Sequence, residues 1–539
     1  MKRMKLIATV LAFMMLFVLL AACAETGNDG DTTQSPAPEV TDGGESTEGL
    51  VTLTAFMNSP AWSASTWGSD PVSQRMMEMT GVTFTFEVNA EDTETRLNLI
   101  VAGGDLPDLL HIPRESLATR TMIQDEMLIS WEALFNDYLP DAMQTSFIQR
   151  NEEILRGLYE FTGEIWTVPN NFVDRRYIDN GTYIMQTPGY YARGTMLDAI
   201  GNPTLVTLDD LENVLRLAVE NDPSLTDPLF LWNPVNIGWD ANGITILYRS
   251  MGGRAVQNFF IQADGSLSHI ARDPLFRDTL MFVNRMFNEG FISHNTFTDG
   301  TAEQEAVNVS DNWVVAVGHY WRSIVPQDIF EDIVPVPHLA QPGVDYFGPV
   351  MNLNGDNSLF VSATNSNLEA TARLLDAMIS DEWQGLASGG IYGEHWEWGG
   401  PTNNWLIPIG EAAEILDIGF GEWMELTGAF RYLFTANQGL DSALAWGMAS
   451  ADPWRVELFN TQNAGIDATR WENLDPPAET LEGASLARIT DDILHPFVAR
   501  IAMASNEQAA QALFDEMLAD MEAQGLADIE AVWNANLNR

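Results

Sequence analysis

VTLTAFM at 51–57, PVSQRMMEM at 71–79, VTFTFEV at 82–88 and DLLHI at 108–112 set the fold class of this chain. The first and third pieces alternate and are rich in β-branched and aromatic residues, the pattern of a strand. The second is a short helix stopped by Gly81. Between the second and third strands, Thr93–Val101 puts Leu97, Ile100 and Val101 on one helical face. Gly103-Gly104-Asp105-Leu106-Pro107 then turns the chain into DLLHI, with Asp105 read as a cap for backbone amides of the turn. Strands separated by helices in this order predict a parallel sheet in an α/β domain.

The same signals recur downstream. Thr207 caps a helix carrying Leu211, Val214, Leu215 and Ala218, stopped at Pro223. Asp273-Pro274 opens another, with Leu280, Val283, Met286 and Phe287 inward and Gly290 at its end. Ser366-x-x-Glu369 and Ser505-x-x-Gln508 read as capping boxes. At 539 residues the chain has room for two large domains or three ordinary ones, and the 46% hydrophobic content suits sizeable cores.

The N-terminus reads as an address. Lys2, Arg3 and Lys5 precede an apolar run, Leu6–Leu20, and then Leu20-Ala21-Ala22-Cys23. This is similar to a bacterial lipoprotein signal, in which residues 1–22 are removed and Cys23 is acylated as the mature N-terminus. The run is too short for a good membrane span. Cys23 is the only cysteine, so no disulfide, cysteine metal site or thiol catalysis can arise within the chain. The following stretch to Leu50 holds Gly, Ser, Thr, Pro and seven acids with no base. It is expected to be a disordered tether over 23–50, reaching roughly 30 Å as a random coil.

Charge excludes several functions. Asp and Glu number 76 against 26 Lys+Arg, for a net −50, and loss of Lys2, Arg3 and Lys5 takes it to −53. Such a surface repels phosphate backbones, so no nucleic-acid partner is expected. Lys2 and Lys5 are the only lysines. No P-loop, Schiff-base or kinase-type lysine is available downstream. The seven histidines (111, 269, 294, 319, 338, 395 and 495) show no metal-ligand spacing, and no metal or cofactor is expected. A calcium site of Asp and Asn oxygens stays open at this level. Glu394 and Glu397 around His395 form an imaginable acid–base pair, but the Gly-flanked setting reads as solvated.

Tryptophan is the informative residue type, with 17 copies. Trp131, Trp313, Trp383 and Trp533 read as core. Others sit in polar, Gly/Pro/Asn-containing segments: Trp62 and Trp67 after Asn58-Ser59-Pro60, Trp166 before Pro169-Asn170-Asn171, Trp232 by Asn233-Pro234, Trp239 by Asp240, Trp321 after Gly318-His319-Tyr320, and Trp396 and Trp398 around Glu397. A flat ring stacks on the C–H face of a sugar while neighbouring polar groups bind hydroxyls.

Six stretches together resemble a family. Thr80-Gly81-Val82 and Arg96–Asp108 (RLNLIVAGGDLPD) are similar to the "TGV … LMLASGDLPD" pattern of the LipO-like branch of the family 1, sugar-type extracellular solute-binding lipoproteins of ABC importers. Ile165-Trp166-Thr167-Val168-Pro169, Leu280–Asn295, Leu368–Trp396 and Met517–Trp533 match further segments in the family's order. One departure is clear. Where members often read R-x-D-W-L-D-x-L-G, Arg193–Gly201 keeps the arginine, leucine and glycine but carries Thr195-Met196 for Asp-Trp.

The resemblance implies an α/β, two-lobed, periplasmic-binding-protein-like (type II) fold with discontinuous lobes and a hinge. Lobe one is expected at 51–175 with 343–410, and lobe two at 176–342 with 411–539, with crossovers near Asn171–Tyr177 and Pro335–Gly343. Ligand between the lobes would draw on Asn58, Trp62, Asn171 and Trp396 from lobe one and on Arg193, Trp239, Tyr320 and Trp321 from lobe two, with the 318–321 segment the strongest expectation. The implied protein is no enzyme. It captures an oligosaccharide or other small solute for ABC permease subunits, lipid-anchored (a palmitate-type anchor) on the outer face of a bacterial cell membrane. Composition alone also suits a lipid-anchored glycoside hydrolase or lyase, or a surface adhesin, and peptide or lipid-headgroup ligands stay open.

Overall fold

β1 (Val51–Met57), β2 (Val82–Val88) and β3 (Leu109–Pro113) form as the sequence reads, with β1 in the middle and parallel to both neighbours. These assignments come from a computed structural model that describes residues 49–537 apart from 59–66, 90–92, 183–187, 239–241, 320–331, 352–354, 417–419, 430–442, 445–465, 468–470 and gaps of one or two residues. The leader, Cys23 and the tether lie outside the described residues, and the folded unit is Ser46–Arg539. Later strands are β4 (Leu128–Ile129), β5 (Pro188–Arg193), β6 (Leu229–Leu231), β7 (Ala255–Val256), β8 (Phe259–Ile261), β9 (Leu267–His269), β10 (Val315–His319), β11 (Ile333–Val336), β12 (Val350–Met351), β13 (Asn357–Ser362), β14 (Trp396–Gly399), β15 (Trp405–Pro408) and β16 (Ile466–Asp467).

The first sheet has the order β2-β1-β3-β13-β4. Its β1–β3 part is parallel, as expected, but β13 runs antiparallel to β3, with Asn357 opposite Pro113 and Val361 opposite Leu109. An inner strand is thus taken from far down the chain, so the sheet is mixed rather than purely parallel. The second large sheet has the order β11-β5-β10-β6, with β10 parallel to β6 and antiparallel to β5. Small antiparallel sheets, β7-β8-β9 and β14-β15, flank these.

Each large sheet has its own core. One core joins Leu53, Phe56, Leu110, Trp131 and Phe135 to Leu359, Val361, Leu374 and Trp383. The other joins Tyr190, Leu211, Leu231, Ile246, Leu280 and Val317 to Phe497, Phe514, Met517 and Trp533. A smaller core holds Val173, Tyr177, Trp396, Leu406 and Trp423. The opposite face of the second sheet buries Tyr191, Phe230, Trp232, Trp313, Ala316 and Ile333. Trp131, Trp313, Trp383 and Trp533 are fully buried, as their patterns predict.

Local signals hold where one side chain settles the question and shift where several compete. Thr207 and Asp210 make a complete capping box on the Leu208–Asn221 helix. Asp273 caps the helix opened by Pro274. Ser366 is not a cap: the Leu368–Met378 helix starts from Asn367, whose N–H is held by Asn365 Oδ1 at 2.7 Å. At the last long helices Asn506, one residue after the expected Ser505, accepts from Ala509 N. In the 103–108 turn Asp108, rather than Asp105, is the carboxylate that makes hydrogen bonds among the described residues. Its carboxylate accepts from Thr54 N and Thr54 Oγ1, both at 2.8 Å, and so ties the turn to β1.

Candidate ligand-binding site

In open α/β sheets ligands sit beyond the carboxyl ends of the parallel strands, where helix N-termini and loops present polar groups. In the first sheet that edge is the end of β1, the end of β3 and the start of antiparallel β13. It is rich in asparagine. Asn58 follows β1, its N–H donating to His111 O at 2.9 Å and its side-chain amide to Asn357 Oδ1 at 3.2 Å. Asn357 N in turn donates to Asn170 Oδ1 at 2.9 Å, and Asn170 N to Asn357 O at 2.8 Å. Arg114 follows β3 and is buried. Ser358 lies beside this ring of amides, and its buried hydroxyl has no hydrogen-bond partner among the described residues.

Two backbone features shape the edge. Asn171 is half-buried with φ 52°, a left-handed geometry that asparagine tolerates better than most residues. Gly355 (φ 68°) passes so close to Asn170 that any β-carbon would fall inside the Asn170 carbonyl oxygen. Just beyond, Asp174 accepts from Arg150 Nη2 at 2.7 Å, Arg150 Nε at 3.1 Å and Asn151 Nδ2 at 3.1 Å. Burial works to raise the Asp174 carboxyl, but the Arg150 guanidinium and the donated amides outweigh it and hold the group below its usual range.

The carboxyl edge of the second sheet lies at the ends of β6 and β10. Trp232 follows β6, its N–H donating to Val317 O at 2.9 Å. Asn233 (φ 44°) is held through its N–H by Gln304 Oε1 at 2.8 Å. Asn242 caps the Gly243–Ser250 helix, which starts against this edge with Gly243 N donating to Trp232 O. Gly318 on β10 has no room for a β-carbon, which would fall on Trp232 Cβ.

The expected site residues divide three ways. Asn58 and Asn171 lie at the first carboxyl edge. Trp62, Trp239, Tyr320 and Trp321 lie outside the described residues. Arg193 and Trp396 are placed elsewhere, and both expectations are corrected on packing grounds. Arg193 ends β5, which runs antiparallel to β10, so it sits beyond Val315 at the opposite edge from Gly318. Gly318 pairs with Gly189, four residues from Arg193, so at about 3.3 Å per residue the separation along the sheet is roughly 13 Å. Its side chain is only 7% exposed. Nε donates to Asp332 at 2.6 Å, Nη1 to Ser310 O at 3.2 Å, and the guanidinium lies 5.4 Å from the Trp313 ring centre. Asp332 also accepts from Thr195 N at 2.6 Å and Thr195 Oγ1 at 2.7 Å. The Thr-for-Asp departure therefore has a local reason: an aspartate at 195 would set a second carboxylate against Asp332.

Trp396 is 4% exposed, its indole N–H donating to Gly390 O at 2.9 Å and its ring edge-on to Tyr392 and Trp398. Gly385 and Gly389 lie directly against it. It is a core side chain. The Glu394–His395–Glu397 group is no acid–base pair either. Both glutamates are exposed, and His395 Nδ1 accepts from Ile391 N at 3.0 Å, which fixes the turn. Sequence reading missed Arg114, Asn357 and Ser358. The doublet Asn170-Asn171 was the available signal for the first edge, and Trp232-Asn233-Pro234 for the second. Among the described residues no cluster of three or more His, Cys, Asp or Glu side chains could hold a metal, and no helix is long and apolar enough to cross a membrane.

No protein-family model and no curated protein matches the sequence. Solved structures match over nearly the whole chain. An HMO-binding ABC-transporter-associated solute-binding protein from Bifidobacterium longum infantis is 14% identical and superposes with a TM-score of 0.65 over 91% of this chain and 99% of its own. The S. pneumoniae ABC-transporter substrate-binding protein FusA, an EF-hand mutant in complex with fructo-nystose, is 17% identical with a TM-score of 0.66 over 90% and 99%. Alginate-binding protein AlgQ2 without calcium ion is 16% identical with a TM-score of 0.64 over 94% and 100%. The fold is thus the α/β, periplasmic-binding-protein-like fold of ABC-transporter solute-binding proteins.

Proposed function

We propose that this chain is a lipid-anchored solute-binding protein that captures an oligosaccharide and delivers it to an ABC importer. One observation carries the reading. Two α/β sheets with separate cores each present polar side chains, amides above all, at the carboxyl edge, within a fold whose solved examples include binders of fructo-nystose, HMO and alginate. Amides offer paired donors and acceptors, the chemistry that matches vicinal hydroxyls. Asn58 and Asn171 are the proposed contacts of the first lobe, and Trp62, Trp239, Tyr320 and Trp321 remain proposed contacts.

The lobes are proposed as 51–175 with 343–410 and 176–342 with 411–539. The first core draws on residues 53–172 and 359–387, and the second on 190–347 and 474–533, which supports a discontinuous division. Closure follows because only the closed form touches ligand from both lobes. Cys23 carries the lipid and 23–50 the reach from the membrane surface.

Calorimetric titration with kestose, a neutral human-milk tetrasaccharide and an alginate trisaccharide tests the reading. The expected result is one site per chain, unchanged ligand on recovery, and a smaller radius of gyration in solution scattering. At 100 times the dissociation constant the ligand should add about 2.7 kcal/mol of stability. Turnover of the glycan, or no binding across the panel, refutes it. Cys23→Ala should move the protein from the membrane to the soluble fraction with its melting temperature unchanged.

A further inference from the structure

Trp232 is 4% exposed, and its indole N–H has no acceptor among the described residues. Other tryptophans here do better. The indoles of Trp67, Trp131, Trp166, Trp396 and Trp533 donate to Thr83 Oγ1, Leu359 O, Thr162 Oγ1, Gly390 O and Asp475 Oδ1. A buried donor left unmet is unfavourable and rare, and calls for a cause.

The surroundings of Trp232 hold it still without satisfying it. Its backbone is bonded at both ends, N–H to Val317 O and carbonyl to Gly243 N. Its ring meets Phe230 edge-on at 6.2 Å, and Gly318 leaves the neighbouring strand bare beneath its Cβ. Asn233, the next residue, is fixed by Gln304 and by the Asn242 side chain. All of this lies at the carboxyl edge of the second sheet. The result is a fixed aromatic with one unspent donor, carried by a residue at the carboxyl edge where this class of sheet meets its ligand.

We infer that Trp232 is a specificity-determining residue of the second lobe whose indole N–H donates to an oxygen of the bound solute, a sugar hydroxyl, ring or glycosidic oxygen. The inference rests on the solute-binding reading above. It assigns the residue a polar role, distinct from stacking on a ring face. A solute without an oxygen there would leave the donor unmet in the complex and be discriminated against.

The test is Trp232→Phe, which removes the N–H and keeps most of the ring, titrated with kestose, the neutral tetrasaccharide and the alginate trisaccharide. Affinity for whichever probe the unmodified chain binds should fall about 5- to 30-fold, a hydrogen bond's worth. The ligand-free variant should melt below the parent only by what the cavity left on exchanging an indole for a phenyl ring costs, since Trp232 packs against Phe230 and the deleted donor bonded nothing among the described residues. In the unmodified chain, labelled with ¹⁵N-tryptophan, the indole signal absent from the variant should shift downfield on saturation. Unchanged affinity overturns the inference. So does an indole signal indifferent to bound ligand. These outcomes leave the solute-binding reading standing. A parent chain that binds none of the probes overturns that reading, and this inference with it.

Discussion

Replacing Arg193 with leucine separates a structural from a ligand-binding role for this arginine. The side chains of Arg193 and Asp332 are 7% and 9% exposed, with Nε to Oδ2 at 2.6 Å. Removing one partner of a buried pair costs about 3–5 kcal/mol. Asp332 keeps two donors from Thr195, so the lower end, about 3 kcal/mol, is expected. For a cooperative unit of about 150–250 residues that is roughly 6–12 °C in melting temperature. A pH signature accompanies it. Burial works to raise the Asp332 carboxyl, but Thr195 and Arg193 together hold it below its usual value. A carboxylate depressed in the folded state contributes stability above its unfolded pKa and loses it as pH falls through the folded value. The gap between Arg193→Leu and the parent should therefore narrow as pH falls below about 4. Ligand affinity measured below the melting range should stay within about twofold, a few tenths of a kcal/mol. Thermal melts with calorimetric titration decide the matter. A melting temperature within a degree of the parent, or lost affinity at unchanged stability, would refute the structural assignment and return Arg193 to the ligand.

His111 and His269 are fully buried, and burial pushes both down to about 3, helped at His269 by Arg272; burial and then Arg249 push His338 down to about 4. Since the unfolded chain binds protons near 6.5, stability should be full above that pH and fall as pH drops toward 5, by up to about 1.4 kcal/mol per pH unit per histidine. Denaturant melts that show flat or rising stability from pH 7 to 5 would contradict this. Gly355→Ala should destabilise by at least 1 kcal/mol or so, from φ 68° and the blocked β-carbon position, and should weaken ligand binding by disturbing Asn170 and Asn357; a variant that melts and binds like the parent would count against the described edge. Trp396→Ala should lower stability by about 3–5 kcal/mol, read by denaturant titration, and leave affinity in the surviving folded fraction unchanged.

Much of this protein was legible in its residues because the physics there is local. Alternation in 51–57 and 82–88 and the turn at 103–107 specify three strands and the parallel pairing of β1 with its neighbours, since side-chain period and chain length between strands leave little else. Thr207 with Asp210 and Asp273 before Pro274 mark helix starts, because a cap is a contact between residues two or three apart. The counts that exclude lysine and cysteine chemistry need no structure at all. The rest depends on residues brought together from far apart. β13 enters the first sheet antiparallel, roughly 250 residues after β3, and with it Asn357 and Ser358 reach the edge beside Asn58 and Asn170. Arg193 and Trp396 carry the right chemistry for a ligand and the wrong location. An antiparallel pairing puts one at the far edge against Asp332, and Gly385 and Gly389 draw the other into a core. Trp232 shows the converse: a residue type common to core and site, whose role turns on whether its N–H finds an acceptor within hydrogen-bond distance. A side chain's chemistry belongs to the sequence, but the partners that consume or spare it are set by strand order and packing.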